Sequence, residues 1–295
     1  MPWLELTLSA TPATAESISD ALEEAGAAAV TLRDAEDQPI FEPPPGAEKV
    51  WDHTEVVGLF ESDIDTDALL LGLSARLGTL PRWRLEPLED RDWIRAWMDD
   101  YRPMRFGERL YVVPHGMEPP DPGAINLRLD PGLAFGTGTH PTTALCLRWL
   151  ESADLRGRTI IDYGCGSGIL AIAALLLGAA RVIAVDNDPQ ALIATANNAH
   201  DNGVADRLST HLPENCPDEP ADVMVANILA APLVELEPRL AALTRPGGLI
   251  TLSGILTAQG DMVSTAYDRD FDMHPAVDKD GWLRLDGQRH VSTKH

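Results

Sequence analysis

Basic residues are scarce in this chain. Of its 295 residues, 23 are Lys or Arg against 46 Asp or Glu, a formal charge of -23 at neutral pH. A surface of that sign repels a phosphate backbone, so direct nucleic-acid binding is not expected. A basic protein partner suits it, and an acidic surface kept for solubility is the plainer alternative. Long apolar runs are missing as well. No stretch approaches the roughly 18 to 20 residues of a membrane span, and MPWLELTLSA has no basic start ahead of an apolar stretch, as a signal peptide would. These absences predict a cytoplasmic protein with no membrane partner, expected to be a monomer. Cysteine is sparse: Cys146, Cys165 and Cys216 are an odd number without CxxC spacing, which argues against a disulfide framework and a zinc site and predicts reduced thiols and no metal.

What is present falls into two patterns. The first 90 residues alternate short strands and helices: WLELTLSA, AESISDALEEAGA with Gly26 as a stop, AAVTLRD, then EVVGLFES, DTDALLLGLSARLG starting near Asp65 or Thr66, and RWRLEPLE. Two such β-α-β passages predict a small ferredoxin-like α+β domain over 1–90, with no catalytic constellation in it. Residues 91–123 read as a linker: a short helix carrying Trp93 and Trp97 as packing residues, a strand at RLYVVP, and a Pro/Gly-rich stretch at 118–123. From Thr159 the pattern becomes strand, loop, helix, repeated, with Asp188 and Pro189 opening one helix and Gly203 ending it. A hairpin is expected around DKDG. Repeated β-α units give a parallel sheet covered by helices on both faces, here over 124–295.

In such a sheet, ligands sit beyond the carboxyl ends of the strands. The segment IIDYGCGSGIL, Ile160 to Leu170, follows the first strand and supplies Gly164, Gly166 and Gly168. A dinucleotide fingerprint would be G-x-G-x-x-G; here the third glycine falls one place early and Ile169 takes the sixth position. Charge discriminates further. Asp186 ends the next strand, placed as an acceptor for ribose hydroxyls. Asp162, expected at the mouth of the loop, would repel a pyrophosphate but attract a cation. A sulfonium with an α-ammonium, an adenosine ribose and no phosphate fits both: S-adenosylmethionine.

Upstream, DPGLAFGTGTHPTT, Asp130 to Thr143, is a second glycine-rich segment leading into a helix that its Thr residues could cap. Downstream, VANILA places Asn227 just past a strand end on the same rim. With VDNDPQA and LSGIL, these stretches resemble the bacterial methyltransferases of large-subunit ribosomal protein eleven, the PrmA family, over essentially the whole chain. The resemblance implies a Rossmann-like, seven-stranded class I methyltransferase domain joined by a flexible connection to an N-terminal domain that grips the ribosomal protein. It also implies trimethylation of lysine side chains and of the N-terminal amine. Carried onto matching positions, Thr143, Gly164, Asp186 and Asn227 contact the cofactor, and Phe135 and His140 belong to the loop covering it. Asp162, Gly166 and Gly168 complete the expected cofactor set.

Methyl transfer to an amine is an in-line displacement, which needs an aligned, deprotonated nucleophile more than an acid. Lysine has a pKa of about 10.4, so a proton must leave first, helped by burial and a neighbouring positive charge. Asn227 can orient the amine through its side-chain oxygen but cannot serve as a base. His140 is the local candidate for one, and proton loss to water is the simpler route. Methyltransferases of planar nitrogens follow the strand-end Asn or Asp with two prolines and a stacking aromatic. NILA has neither, which favours an aliphatic amine. A cofactor-binding protein with an idle centre is the reading from another class, disfavoured by an intact Asn227.

Overall fold

The computed structural model describes residues 3–35, 53–88, 102–129 and 140–291. The chain folds as two compact units, 1–99 and 100–295. In the first, β1 (Trp3–Ala10), α1 (Ala15–Glu24), β2 (Ala29–Asp34), β3 (Thr54–Glu61), α2 (Thr66–Leu77) and β4 (Trp83–Leu88) form an antiparallel sheet of order β2-β3-β1-β4. That is the ferredoxin-like arrangement. Alternation decides which face is covered: Leu6 and Leu8 of β1 with Val56 and Phe60 of β3 pack against Ile18 and Leu22 of α1 and Leu73 of α2. Asp65 caps α2, its side chain accepting from the Ala68 N–H at 3.0 Å. Gly26 follows α1 at φ 93°, a left-handed stop that a side chain would strain.

The second unit begins with β5 (Met104–Phe106), β6 (Leu110–Val113) and β7 (Ile125–Arg128), a three-stranded sheet of order β5-β6-β7. The expected linker therefore departs from what is found: residues 104–113 are a hairpin of this unit, with Phe106, Leu110 and Val112 in its core. Arg109 holds the hairpin down, its Nε donating to Glu151 Oε1 and its Nη2 to the Glu151 carbonyl, each at 3.0 Å. The expected helix with Trp93 and Trp97 lies outside the described residues.

There follow α3 (Pro141–Ser152), β8 (Thr159–Tyr163), α4 (Ile169–Leu176), β9 (Arg181–Val185), α5 (Pro189–Asp201), β10 (Leu208–His211), β11 (Ala221–Asn227), α6 (Ala230–Leu243), β12 (Thr244–Leu256), α7 (Gly260–Tyr267), β13 (Phe271–Met273), β14 (Val277–Lys279) and β15 (Trp282–Arg289). The sheet runs β10-β9-β8-β11-β12-β15-β13, with β14 added on β15. Strands β8 to β12 are parallel; β15 runs antiparallel to β12 and β13. Strand order reverses between β8 and β11, the place where a parallel sheet opens a crevice. Both faces are apolar, as parallel strands require. Ile160, Val182, Val223 and Val225 face α3 and α4, while Ile161, Ile183, Met224 and Ala226 face α6 and α7. The DKDG hairpin joins β14 to β15 through Asp280 and Gly281, both at positive φ. Among the described residues, no helix is long and apolar enough to cross a membrane.

Candidate active site

The loop after β8 is built by its three glycines. Gly164, Gly166 and Gly168 all have positive φ, at 82°, 54° and 78°, which lets the chain turn within five residues from strand to helix. Gly168 is the N-cap of α4, and a Cβ there would stand 2.8 Å from Thr195 of α5. The loop is tied from both sides. Gly164 and Cys165 donate to the Val185 carbonyl at 2.7 and 3.0 Å. From α5, Thr195 Oγ1 donates to the Gly166 carbonyl at 3.0 Å and Asn198 Nδ2 to that of Ser167 at 2.8 Å. Thr195 and Asn198 escaped the sequence reading, because nothing in an isolated helix says which face meets a loop.

Asp186 follows the last residue of β9, partly exposed, with its carboxylate fixed by two backbone donors. Gly166 N–H reaches Oδ2 at 2.9 Å and Asp188 N–H reaches Oδ1 at 3.0 Å. Each oxygen keeps lone-pair capacity for a further donor, as a ribose diol requires. Asp188 caps α5, accepting from Gln190 N–H at 2.8 Å, with Pro189 at the first helical position.

Asp162 departs from its expected place. It lies in β8 at 1% exposure, not at the mouth of the loop, and its Oδ2 accepts from Ala171 N–H in the first turn of α4 at 3.0 Å. Strand alternation is the reason: Asp162 points to the same face as Ile160, towards α3 and α4. Its Oδ1 is buried without a partner. Burial pushes its pKa from 3.8 up to about 7; the Ala171 bond opposes that shift, and the Asp186 charge adds to it.

Asn227 ends β11 and meets Thr143, buried in α3, with Nδ2 donating to Thr143 Oγ1 at 3.4 Å. Among the described residues, no hydrogen bond to Asn227 Oδ1 is present, so the amide oxygen is available as an acceptor at the strand end. His140 is the N-cap of α3, in place of the Thr residues expected to cap it. Its Nδ1 lies 2.7 Å from Thr142 Oγ1 and 3.4 Å from Thr142 N. The ring stacks edge-on against Trp282, centroids 4.8 Å apart. Burial lowers its pKa and favours the neutral ring, and with Nδ1 engaged in the cap that nitrogen is not open to an amine proton. Phe135 and the rest of 130–139 lie outside the described residues.

The sequence profile of the family described as ribosomal protein L11 methyltransferase (PrmA) matches residues 2–290. The chain belongs to that family. A ribosomal protein L11 methyltransferase of Azotobacter vinelandii (strain DJ / ATCC BAA-1303) is 57% identical over 291 residues, covering 98% of this chain and all of the relative. One of Pseudomonas paraeruginosa (strain DSM 24068 / PA7) is 55% identical over 293 residues, covering 99% and 100%. The crystal structure of a ribosomal protein L11 methylase from Lactobacillus delbrueckii subsp. bulgaricus superposes with a TM-score of 0.58 at 34% identity, over 64% of this chain and all of that one. The second unit is thus the Rossmann-like class I domain of a PrmA methyltransferase, which uses S-adenosylmethionine.

The residues present fit that cofactor. Asp186 offers a fixed carboxylate for a ribose, and Asp162 holds an unpartnered buried oxygen behind the loop. Residues 160–170 carry no Lys or Arg with which to meet a phosphate.

Proposed function

We propose that this chain transfers methyl groups from S-adenosylmethionine to lysine side-chain amines and the N-terminal amine of ribosomal protein L11, taking each to the trimethyl state. The observation that carries the reading is Asn227: its amide nitrogen rests on Thr143, its oxygen is open, and its strand end stands on the same rim as the loop held by Asp186. The cofactor supplies an electrophilic methyl on a cationic sulfur. Everything else falls to the protein. Asp186 and the 164–168 loop hold the adenosine end, and in the first two transfers Asn227 Oδ1 accepts from the amine N–H so that the nitrogen lone pair faces the methyl; the dimethylamine of the third transfer has no N–H left and is held by the shape of the site alone. Among the described residues no side chain is placed as a general base, His140 Nδ1 serving as a cap, so in this reading the amine gives its proton to water. Ile228, Leu229 and Ala230 stand where planar-nitrogen enzymes carry prolines and an aromatic, which supports an aliphatic amine.

In this reading the first unit recognises the protein substrate and the second binds the cofactor. The described part of the first unit has secondary structure but no glycine loop or strand-end Asn. The net charge of -23 favours a basic protein over RNA, and the chain works as a cytosolic monomer. Purified protein incubated with L11 and S-adenosylmethionine tests the reading by mass spectrometry. Mass increments in multiples of three methyl groups on L11 are expected, and an unmodified L11 would overturn it.

A further inference from the structure

Ile228, the residue after Asn227, is gripped by glycines from two separate motifs. Gly164 of the cofactor loop stands at φ 82°, and a Cβ there would overlap Ile228 Cγ2. Gly254 in β12 stands at φ 86°; a Cβ there would overlap the Ile228 carbonyl oxygen and lie 2.7 Å from its carbonyl carbon. Gly254 sits at an irregularity of the sheet. The β11–β12 ladder holds through Asn227↔Ser253, but the β12–β15 register slips between Leu252 and Ile255. Ser253 is anchored there, its Oγ donating to the Leu283 carbonyl at 2.8 Å. Ile228 also packs against the core under α6, while the β11 ladder ends at Asn227 and Leu229, the N-cap of α6, makes no side-chain cap bond.

We infer that Ile228 is a positioning residue for methyl transfer, wedged between Gly164 and Gly254 so that Asn227 and the cofactor loop are held as one body. Ile228 acts through Asn227, and the inference rests on the reading of Asn227 as the group that orients the amine. Its physical basis is close packing: an interlocked methyl transmits position where a hydrogen bond at a strand end frays. Misplacement on the order of 1 Å can cost about a hundredfold in rate, so a partial release of the wedge is expected to cost roughly tenfold.

The test compares Ile228→Ala, which removes Cγ2, with Ile228→Val, which keeps it, and adds Gly254→Ala. Ile228→Ala should lower kcat on L11 about tenfold with S-adenosylmethionine affinity within about twofold of wild type. Unmodified and monomethylated amines should persist, because the slowed transfers are the two in which Asn227 holds an amine N–H. Ile228→Val should recover most of the rate. Gly254→Ala should resemble Ile228→Ala, and the Ile228 pair decides the matter where Gly254→Ala does not fold. The side-chain amide signal of Asn227 in NMR spectra, recorded without substrate, should shift and broaden in Ile228→Ala and stay near its place in Ile228→Val. Wild-type kcat with an unmoved Asn227 signal in Ile228→Ala overturns the inference. So does a loss of cofactor affinity as large as the loss of rate, which would make Ile228 a support of the loop alone. A wild-type protein that leaves L11 unmodified removes the functional reading, while the Asn227 signal still decides the positioning.

Discussion

Asp162→Asn changes one buried atom and should make the second unit more stable at neutral pH than the native protein. The carboxyl is 1% exposed, and its pKa is pushed up from 3.8 to about 7. A raised carboxyl binds its proton more tightly folded than unfolded, so stability from this group falls as pH rises from about 4 and levels off above about 7. Between pH 5 and the folded pKa of about 7 lie about two pH units at about 1.4 kcal/mol each, hence about 3 kcal/mol lost by the native protein and not by the variant. Asn keeps an acceptor for Ala171 N–H but puts two amide hydrogens where Oδ1 has no partner, at a cost of about 1–3 kcal/mol that does not change with pH. The double difference cancels that cost. The assay is the urea midpoint of the second unit at pH 5 and pH 8, read from hydrogen exchange of the β8 amides of Ile160 and Ile161. The advantage of Asp162→Asn over wild type should grow by about 3 kcal/mol from the lower pH to the higher. An advantage that stays constant across that range would show Asp162 ionised and compensated in the folded state, refuting the assignment of an isolated buried carboxyl.

Asp186→Ala should weaken S-adenosylmethionine binding by about 2–4 kcal/mol, because two charge-assisted acceptors go and Gly166 N–H loses its partner; titration calorimetry reads it, and unchanged affinity would take Asp186 out of the site. Asn227→Ala should lower kcat on L11 by at least about tenfold while leaving cofactor affinity within about threefold, as expected for a group that acts on the amine. Steady-state kinetics beside calorimetry separates the two. A chain starting at Arg102 should fold, bind S-adenosylmethionine as the full chain does, and methylate intact L11 far more slowly. Full-length rates from that fragment would place recognition in the second unit. A start at Leu110 should fold poorly, since it discards the buried Phe106 and the strand paired with β6.

That last contrast shows where reading the sequence stopped short. Strand β5 has three residues, Met-Arg-Phe, too short to show alternation. Its pairing with β6, and that of β6 with β7 across residues 114–124, are long-range facts that composition does not carry. The Pro/Gly content that suggested a linker belongs to the connection between two strands of one small sheet. By contrast, signals that are local in their physics were legible. Asp65 caps a helix because its own side chain reaches a backbone N–H three residues on, and Asp188 with Pro189 does the same for α5. The glycines at 164, 166 and 168 could be read because each needs a backbone conformation that side chains disfavour.

Asp162 marks the boundary between the two kinds of signal. Its spacing from the glycines is a sequence property, and it correctly marks the loop. Its direction is a tertiary property, because a residue of a parallel strand faces whichever helix layer the alternation assigns it, and here that is the start of α4. The same carboxylate was therefore expected to face the ligand and is found bonded to the helix that the ligand loop begins. Its remaining oxygen is left unpaired, and its charge is linked to Asp186, whose own carboxylate is set by Gly166 N–H. The positive sulfonium and ammonium of a cofactor whose ribose rests on Asp186 would lower the cost of ionising Asp162, so the buried acid can favour a positive cofactor through the field without touching it.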